Sequence, residues 1–231
     1  MKKVFFLSCI ICIALWSCEK DDLKLPAEVE LTFDMKSFNL EENTKAAQQF
    51  AVDEAYIVLS SIEFDGKREQ GEDYFFTREF DNPLQAEMHT GLANQDVSFD
   101  IPQGIYNMIE MDLIMGDGTG TALMLRGRFH KGPLEDVPVL FEYLFREEIR
   151  VKAMNKEGNR QVVLRKDIPG TATIIFDVPS MFQLFNMAMI RNAELFSFEG
   201  KETIIINSEK NTDIFNLLAT RLDKSIQVIF E

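Results

Sequence analysis

The thiol of Cys18 has the most specific chemical setting in this chain. It follows Leu15-Trp16-Ser17 at the end of an apolar run, Val4 to Leu15, which itself follows Lys2 and Lys3. A positive start, an apolar segment of this length and a small residue before the break are what a signal peptidase reads. The run is too short to span a bilayer, which takes about 20 apolar residues. Other side chains able to do chemistry stand in weaker settings. His89 and His130 are the only histidines, and neither lies in a nucleophile elbow or on a metal-binding helix, so neither reads as a base or a ligand. Glu110 and Asp112 share one face of an expected strand. They would make a carboxylate pair, but a charge ladder to Arg126 and Arg128 across a turn at 116–120 is the simpler account. That turn, Gly116-Asp117-Gly118-Thr119-Gly120, lacks the lysine and hydroxyl of a phosphate loop and the distal glutamate of a calcium loop, and reads as a tight hairpin.

Cys18 in this setting resembles the lipobox cysteine of bacterial lipoproteins. The resemblance implies that residues 1–17 are a signal peptide that is removed, that the Cys18 thiol carries a diacylglyceryl group, and that its freed amine takes a further acyl chain such as palmitate. Each buried methylene contributes about 0.8 kcal/mol, so two or three chains hold a protein to a membrane where one holds it only marginally. Trp16 departs from the small or hydroxylated residue usual at its position. Glu19, Lys20, Asp21 and Asp22 follow at once, and this cluster is similar to the export signal of Bacteroidota surface lipoproteins, in which a lysine or polar residue precedes paired acids. It implies the outer membrane and the cell surface, with a periplasm-facing anchor as the alternative. The resemblance covers about the first 22 residues, and residues 18–27 read as a lipidated N-terminus and charged tether.

All three cysteines, Cys9, Cys12 and Cys18, lie in or at the edge of the signal. The mature chain therefore has no disulfide, no cysteine nucleophile and no cysteine-based zinc site. At this length it needs no disulfide, because about 200 residues bury enough apolar surface to hold a core. Of 24 basic and 38 acidic residues, Lys2 and Lys3 leave with the signal, so 22 against 38 give a formal charge of −16. A surface of that sign repels phosphate backbones, which excludes nucleic acid as a partner. It repels an anionic bilayer as well, so the lipid holds a domain that otherwise stands off.

The elements that must position any site read as strands. Val29, Leu31 and Phe33 alternate with polar neighbours, as on a sheet with one buried face. Glu54 to Phe64 is a β-prone run closed by Asp65-Gly66, which heads a charged stretch through Lys67, Arg68, Glu69 and Glu72, the expected hairpin tip before Tyr74 to Phe80. Asn82-Pro83 is read as a break. Leu84, Ala86 and Met88 alternate, followed by Val97 to Ile101, a Pro102-Gln103-Gly104 turn and Ile105 to Met115. Thr121 to His130 places Leu123, Leu125 and Phe129 on one face and Arg126, Arg128 and His130 on the other, and Val139, Phe141, Tyr143 and Phe145 share a face of the next strand. Glu148 to Ala153, Gln161 to Arg165 and Thr171 to Val178 continue the pattern, with Asn155 to Asn159 as a turn. Asn39 to Gln49 reads as a loop or a frayed helical turn. Two helices are expected late: Met181 to Ala193, capped by Ser180, with Phe182, Phe185, Met189 and Ile190 inward, and a second capped by Asn211 or Thr212 and running to Lys224. Thr203 to Ile206 and Ser225 to Glu231 are further strands. Elements recurring about every ten residues with Gly or Pro between them predict a mainly β protein, an antiparallel β-sandwich with two short helices in the C-terminal third, in one domain over 28–231.

Function is read mostly by exclusion. The expectation is an outer-membrane-anchored, non-catalytic lipoprotein that displays its sandwich to a protein partner or an extracellular polymer, with no catalytic residue, cofactor or metal. Tyr56, Tyr74, Tyr106 and Tyr143 all fall within strands, which lowers a role as exposed sugar platforms. A second reading is a fimbrillin-like pilus subunit or accessory that donates its terminal strand, Ser225 to Glu231, to another subunit, which predicts that strand at an open sheet edge or a groove where a strand is missing. A third is a carboxylate-based envelope hydrolase, which would need two acids converging in a cleft with displaced pKa values.

Overall fold

A computed structural model of the chain describes residues 22–37, 50–132, 135–183 and 186–231. The expected signal at 1–17, Cys18, Glu19, Lys20, Asp21, the segment 39–49 and Phe185 lie outside the described residues. The chain is mainly β with short helices, and its two sheets pack around one apolar core.

The smaller sheet starts with β1 (Pro26–Lys36), two residues inside the segment expected to be tether. Its odd positions Ala27, Val29, Leu31, Phe33 and Met35 are buried, as period two demands. On one side β1 pairs antiparallel with β5 (Ser98–Pro102); on the other it runs parallel to β12 (Gly170–Asp177), which is followed by β15 (Ile226–Phe230) and the two-residue β10 (Met154–Asn155). Ala172, Ile174, Phe176, Ile226, Val228 and Phe230 add the rest of this sheet's inner face.

The larger sheet is organised by β2 (Phe50–Arg68), a 19-residue strand too long for one partner on each side. One edge takes β3 (Tyr74–Glu87). The other edge is shared end to end by β7 (Leu123–Gly132), against Phe50 to Ile57, and β6 (Gly104–Met115), against Leu59 to Arg68. Val58 marks the junction: its carbonyl accepts from the Gly116 N–H at 2.8 Å and its own N–H donates to the Ala122 carbonyl at 2.9 Å. β6 and β7 are thus one interrupted strand, and 116–120 is an excursion from it, correcting the expected hairpin. Because β6 and β7 never pair, Glu110 and Asp112 do not face Arg126 and Arg128. Their ladder forms with β9 (Glu147–Lys152) instead: Arg150 donates to both oxygens of Asp112 at 2.7 and 2.6 Å, and Lys152 reaches Glu110 at 3.4 Å. β11 (Val162–Leu164) continues along the same edge of β6. Beyond β7 come β8 (Glu135–Tyr143), β14 (Lys201–Ile206), parallel to β8, and β13 (Leu195–Phe198); β4 (Leu92–Ala93) covers the far end of β3. Most pairings are antiparallel, with β1/β12, β8/β14 and β10/β15 parallel.

Asp65-Gly66 proves to be strand interior, so the expected hairpin tip begins later than Asp65, after Arg68. A Cβ at Gly66 would lie 2.6 Å from the Tyr106 ring and 2.7 Å from that of Phe64, so this glycine makes room for two buried aromatics, and the chain turns later, at 69–73. Asn82-Pro83 does not end β3. It lies in an irregularity where pairing jumps from Leu59↔Leu84 to Ser61↔Glu79. Phe145 is 48% exposed, because β8 stops at Tyr143.

The first expected helix is two short ones, α1 (Val178–Met181) and α2 (Met187–Arg191). Its cap is Asp177, not Ser180: the carboxylate accepts the Ser180 N–H at 2.9 Å, and it also takes Lys36 Nζ at 3.2 Å and Gln227 Nε2 at 3.0 Å. Three partners satisfy an acid that is 2% exposed. The second becomes α3 (Thr212–Ala219) and α4 (Leu222–Ser225), with Asn211 in a left-handed conformation before α3 and no side-chain cap there. Asn211 holds the preceding elements instead, donating to the Ile205 and Glu194 carbonyls at 2.8 and 3.0 Å. The sheets meet where Phe64 of β2 contacts Phe230 of β15, ring centroids 6.5 Å apart.

Candidate functional site

Two adjoining cavities open on the side where the larger sheet ends in β3 and the smaller in β5. The first, about 470 Å³, is lined by Tyr74, Phe76, Thr77 and Arg78 of β3, Ser98, Phe99 and Asp100 of β5, and Glu28 of β1. Tyr74 and Phe76 stand there because Tyr74 to Gly66 and Phe76 to Phe64 are register pairs with β2; their rings lie 6.3 and 5.3 Å from that of buried Phe64. Phe99 reaches across from β5 to Phe76 at 5.1 Å, and the Tyr74 hydroxyl donates to the Asp100 carbonyl at 3.4 Å. Among the described residues, Tyr74 to Glu79 of β3 pair on one side only, with β2, and β5 pairs only with β1. Two strand edges therefore border one groove with no further strand on either, the Asp100 carbonyl being taken by the Tyr74 hydroxyl. Such edges are templates for a further strand.

The second cavity, about 1030 Å³, is lined chiefly by Asp22, Leu23, Lys24, Arg68, Glu72 and Tyr74. Here the N-terminal segment meets the sandwich. Gln103 donates its backbone N–H to the Leu25 carbonyl at 2.8 Å and its Nε2 to the Asp22 carbonyl at 2.6 Å. Arg68 Nη2 donates to the carbonyls of Leu23 and Gln103 at 2.7 and 2.6 Å. The guanidinium also sits 5.8 Å from the Tyr106 ring centroid, a cation–π arrangement. Tyr106 is fully buried, donates to the Pro102 carbonyl at 2.7 Å, and has its hydroxyl pushed up to about 12 by that burial. One arginine and one glutamine thus clamp the chain four residues after Cys18.

The residues singled out for catalysis do not come together. His130 Nδ1 lies 2.6 Å from Asp136 Oδ1 on the surface, and among the described residues no hydroxyl hydrogen-bonds its other ring nitrogen. His89 is exposed in the turn after β3. The carboxyl groups held away from their ordinary range are shifted down, not up. Burial raises Glu87, but hydrogen bonds from Thr90 and the N–H groups of His89 and Thr90 outweigh it. Asp117 is lowered by bonds from the Thr119 N–H and hydroxyl. Both acids fasten their own turns. Among the described residues no group of three or more His, Cys, Asp or Glu is placed to hold a metal ion, and no helix is long and apolar enough to cross a membrane.

Of the tyrosines, Tyr106 and Tyr143 are buried, while Tyr56 and Tyr74 are half-buried. β15 is bonded along its length to β12 and, at Ile229 and Phe230, to β10, so it completes its own sheet. Sequence reading missed Arg68, which looked like one charge in a hairpin tip, and Gln103, which looked like one residue of a turn. Nothing in their local sequence marks either. Phe76 and Phe99 carried a signal as aromatics in strands, but not that they would meet. Compared with family models, with curated proteins and with solved structures, the chain matches none significantly.

Proposed function

We propose that this chain is a lipid-anchored envelope protein, attached through Cys18 to the outer membrane and displayed at the cell surface, whose sandwich is a non-catalytic binding module for an extended segment of a partner protein. The observation that carries the binding reading is the groove between the unfilled edges of β3 and β5, with Tyr74, Phe76 and Phe99 offering apolar contact and Glu28, Arg78 and Asp100 offering charge. An added strand draws affinity from backbone hydrogen bonds and specificity from alternate side chains, and this groove has both kinds of feature. The anchor and its address rest on Cys18 and on Glu19, Lys20, Asp21 and Asp22. Donation of the terminal strand has less to support it, because β15 is bonded along its length to β12 and at Ile229 and Phe230 to β10, and Glu87 and Asp117, both lowered by bonds within their own turns, lack the raised pKa that suits a general acid.

Protease treatment of intact cells tests display. The wild type is expected to be digested, Cys18→Ala to leave the membrane fraction, and a triple replacement of Lys20, Asp21 and Asp22 by alanine to become protected. A wild type that resists until the outer membrane is opened would move the protein to the periplasmic side. The groove is tested separately. A photo-crosslinking residue at Thr77, which lines it, is expected to give a discrete adduct in cells, whereas one at exposed Ser208 gives none. No adduct at Thr77, or equal labelling at both positions, removes the groove from the proposal.

A further inference from the structure

The clamp on the N-terminal segment also decides which end of the sandwich meets the membrane. Resting on the anchor reading, the distance from Cys18 to Asp22 is four residues, which span at most about 14 Å fully extended. Asp22 and Leu25 are bonded to Gln103, and Leu23 to Arg68, so the turn at 102–104 is held within that reach of the lipid. Gln103 holds one more segment there: its Oε1 accepts the Lys166 N–H at 3.2 Å, at the start of a turn in which the Ile168 N–H donates to the Arg165 carbonyl at 3.2 Å. Around this point three aliphatic side chains face solvent. Ile105 and Val163, directly opposite one another across β6 and β11, are 39% and 52% exposed, and Ile168 is 57% exposed. Charge distinguishes this end less sharply. Residues 22–24, 67–73 and 165–168 carry five basic and five acidic side chains, and Glu231, bonded to Thr171, adds one acid, so this end is close to neutral in a mature chain of formal charge −16. The remainder of the surface is held off an anionic layer, while a nearly neutral, aliphatic end can approach headgroups with little of that penalty.

We propose that Ile105, Val163 and Ile168 form a membrane-facing surface that rests in the headgroup layer of a phospholipid bilayer, fixing the sandwich upright on its anchor with β2 pointing away. Because the remainder of the chain is strongly acidic, a zwitterionic headgroup layer is preferred to an anionic one. The sole tryptophan, Trp16, belongs to the signal, so a tryptophan introduced into the mature chain reports alone. The full chain is purified from envelopes in detergent, as Ile168→Trp, Val163→Trp or Leu92→Trp, and reconstituted in phosphatidylcholine vesicles with or without bromine on the upper acyl chain. Leu92 is 70% exposed and pairs with Glu87, itself opposite Tyr56 of β2. That is twelve residues from Arg68, about 40 Å along the strand at 3.3 Å each. Brominated lipid is expected to quench the 168 and 163 reporters by about twofold, an interfacial side chain lying about 5–10 Å into the boundary, to leave the 92 reporter unchanged, and to quench less when phosphatidylglycerol is added. Flotation with the vesicles is measured first. If the wild type does not float, or floats equally as Cys18→Ala, the anchor fails and the membrane-facing surface falls with it. If it floats but the 168 and 163 reporters are unquenched, or all three are quenched alike, the anchor stands and this surface alone is overturned.

Discussion

Gly127→Ala is expected to destabilise the protein by about 3 kcal/mol, at the upper end of the cost of overpacking a filled interior. Strand propensity alone predicts the opposite sign, since glycine inside a strand is weaker than alanine by about 0.5–1 kcal/mol. The deciding fact is position. A Cβ on Gly127 would lie 2.2 Å from the Ala51 carbonyl oxygen, a backbone atom with no rotamer by which to move away. The two strands come this close because β2 is bulged here: register passes from Val52↔Gly127 to Glu54↔Arg126, leaving Asp53 unpaired in the ladder. Asp53 is held on the outside by Arg128, whose Nε and Nη2 donate to its two oxygens at 2.9 and 2.8 Å. Moving β7 away to admit a methyl group would open this bulge and the β2/β7 ladder together. Urea unfolding would show a lower midpoint with an unchanged slope. Gly120→Ala is the control, with nothing within 4 Å of its added Cβ, and should stay within about 0.5 kcal/mol of wild type. Equal effects at both sites would refute the close approach.

Phe64→Ala should cost more, about 3–5 kcal/mol, the range for deleting a buried aromatic and leaving a cavity. Its ring is fully buried and contacts Phe76 of β3, Tyr106 of β6 and Phe230 of the opposite sheet. It is therefore both part of the seam between the sheets and the support behind Tyr74 and Phe76 in the groove. Phe75, next in sequence to one of those neighbours, is 61% exposed, and Phe75→Ala should be nearly neutral. Phe64→Ala is also expected to weaken the Thr77 adduct in cells while leaving membrane attachment intact, because the proposed anchor at Cys18 does not depend on the core. Loss of attachment in Phe64→Ala with full-length protein still present would contradict that separation.

Sequence alone determined the local patterns. Alternation in 29–33, 84–88, 123–129 and 172–178 placed the buried faces correctly, because a strand's two faces follow from period two and from the transfer of apolar side chains out of water. The same reasoning made the protein mainly β and put the helical residues late in the chain. It also singled out Cys18, whose proposed role as an anchor rests on a linear segment rather than on the fold. It could not decide partners. Whether 116–120 closes a hairpin or interrupts one long strand depends on β2 being long enough to pair both β6 and β7. Glu110 and Asp112 accordingly find Lys152 and Arg150 rather than Arg126 and Arg128. Gly66 looked like a turn because glycine permits one, and only the rings of Tyr106 and Phe64 show that it is needed for space. Phe64 meeting Phe230, Phe76 meeting Phe99, and Arg68 and Gln103 reaching the N-terminal segment join residues far apart in the chain. Such contacts are set by register and by how the sheets stack, and no local propensity encodes them. The groove and the clamp are both of this kind, which is why tertiary structure alone disclosed them.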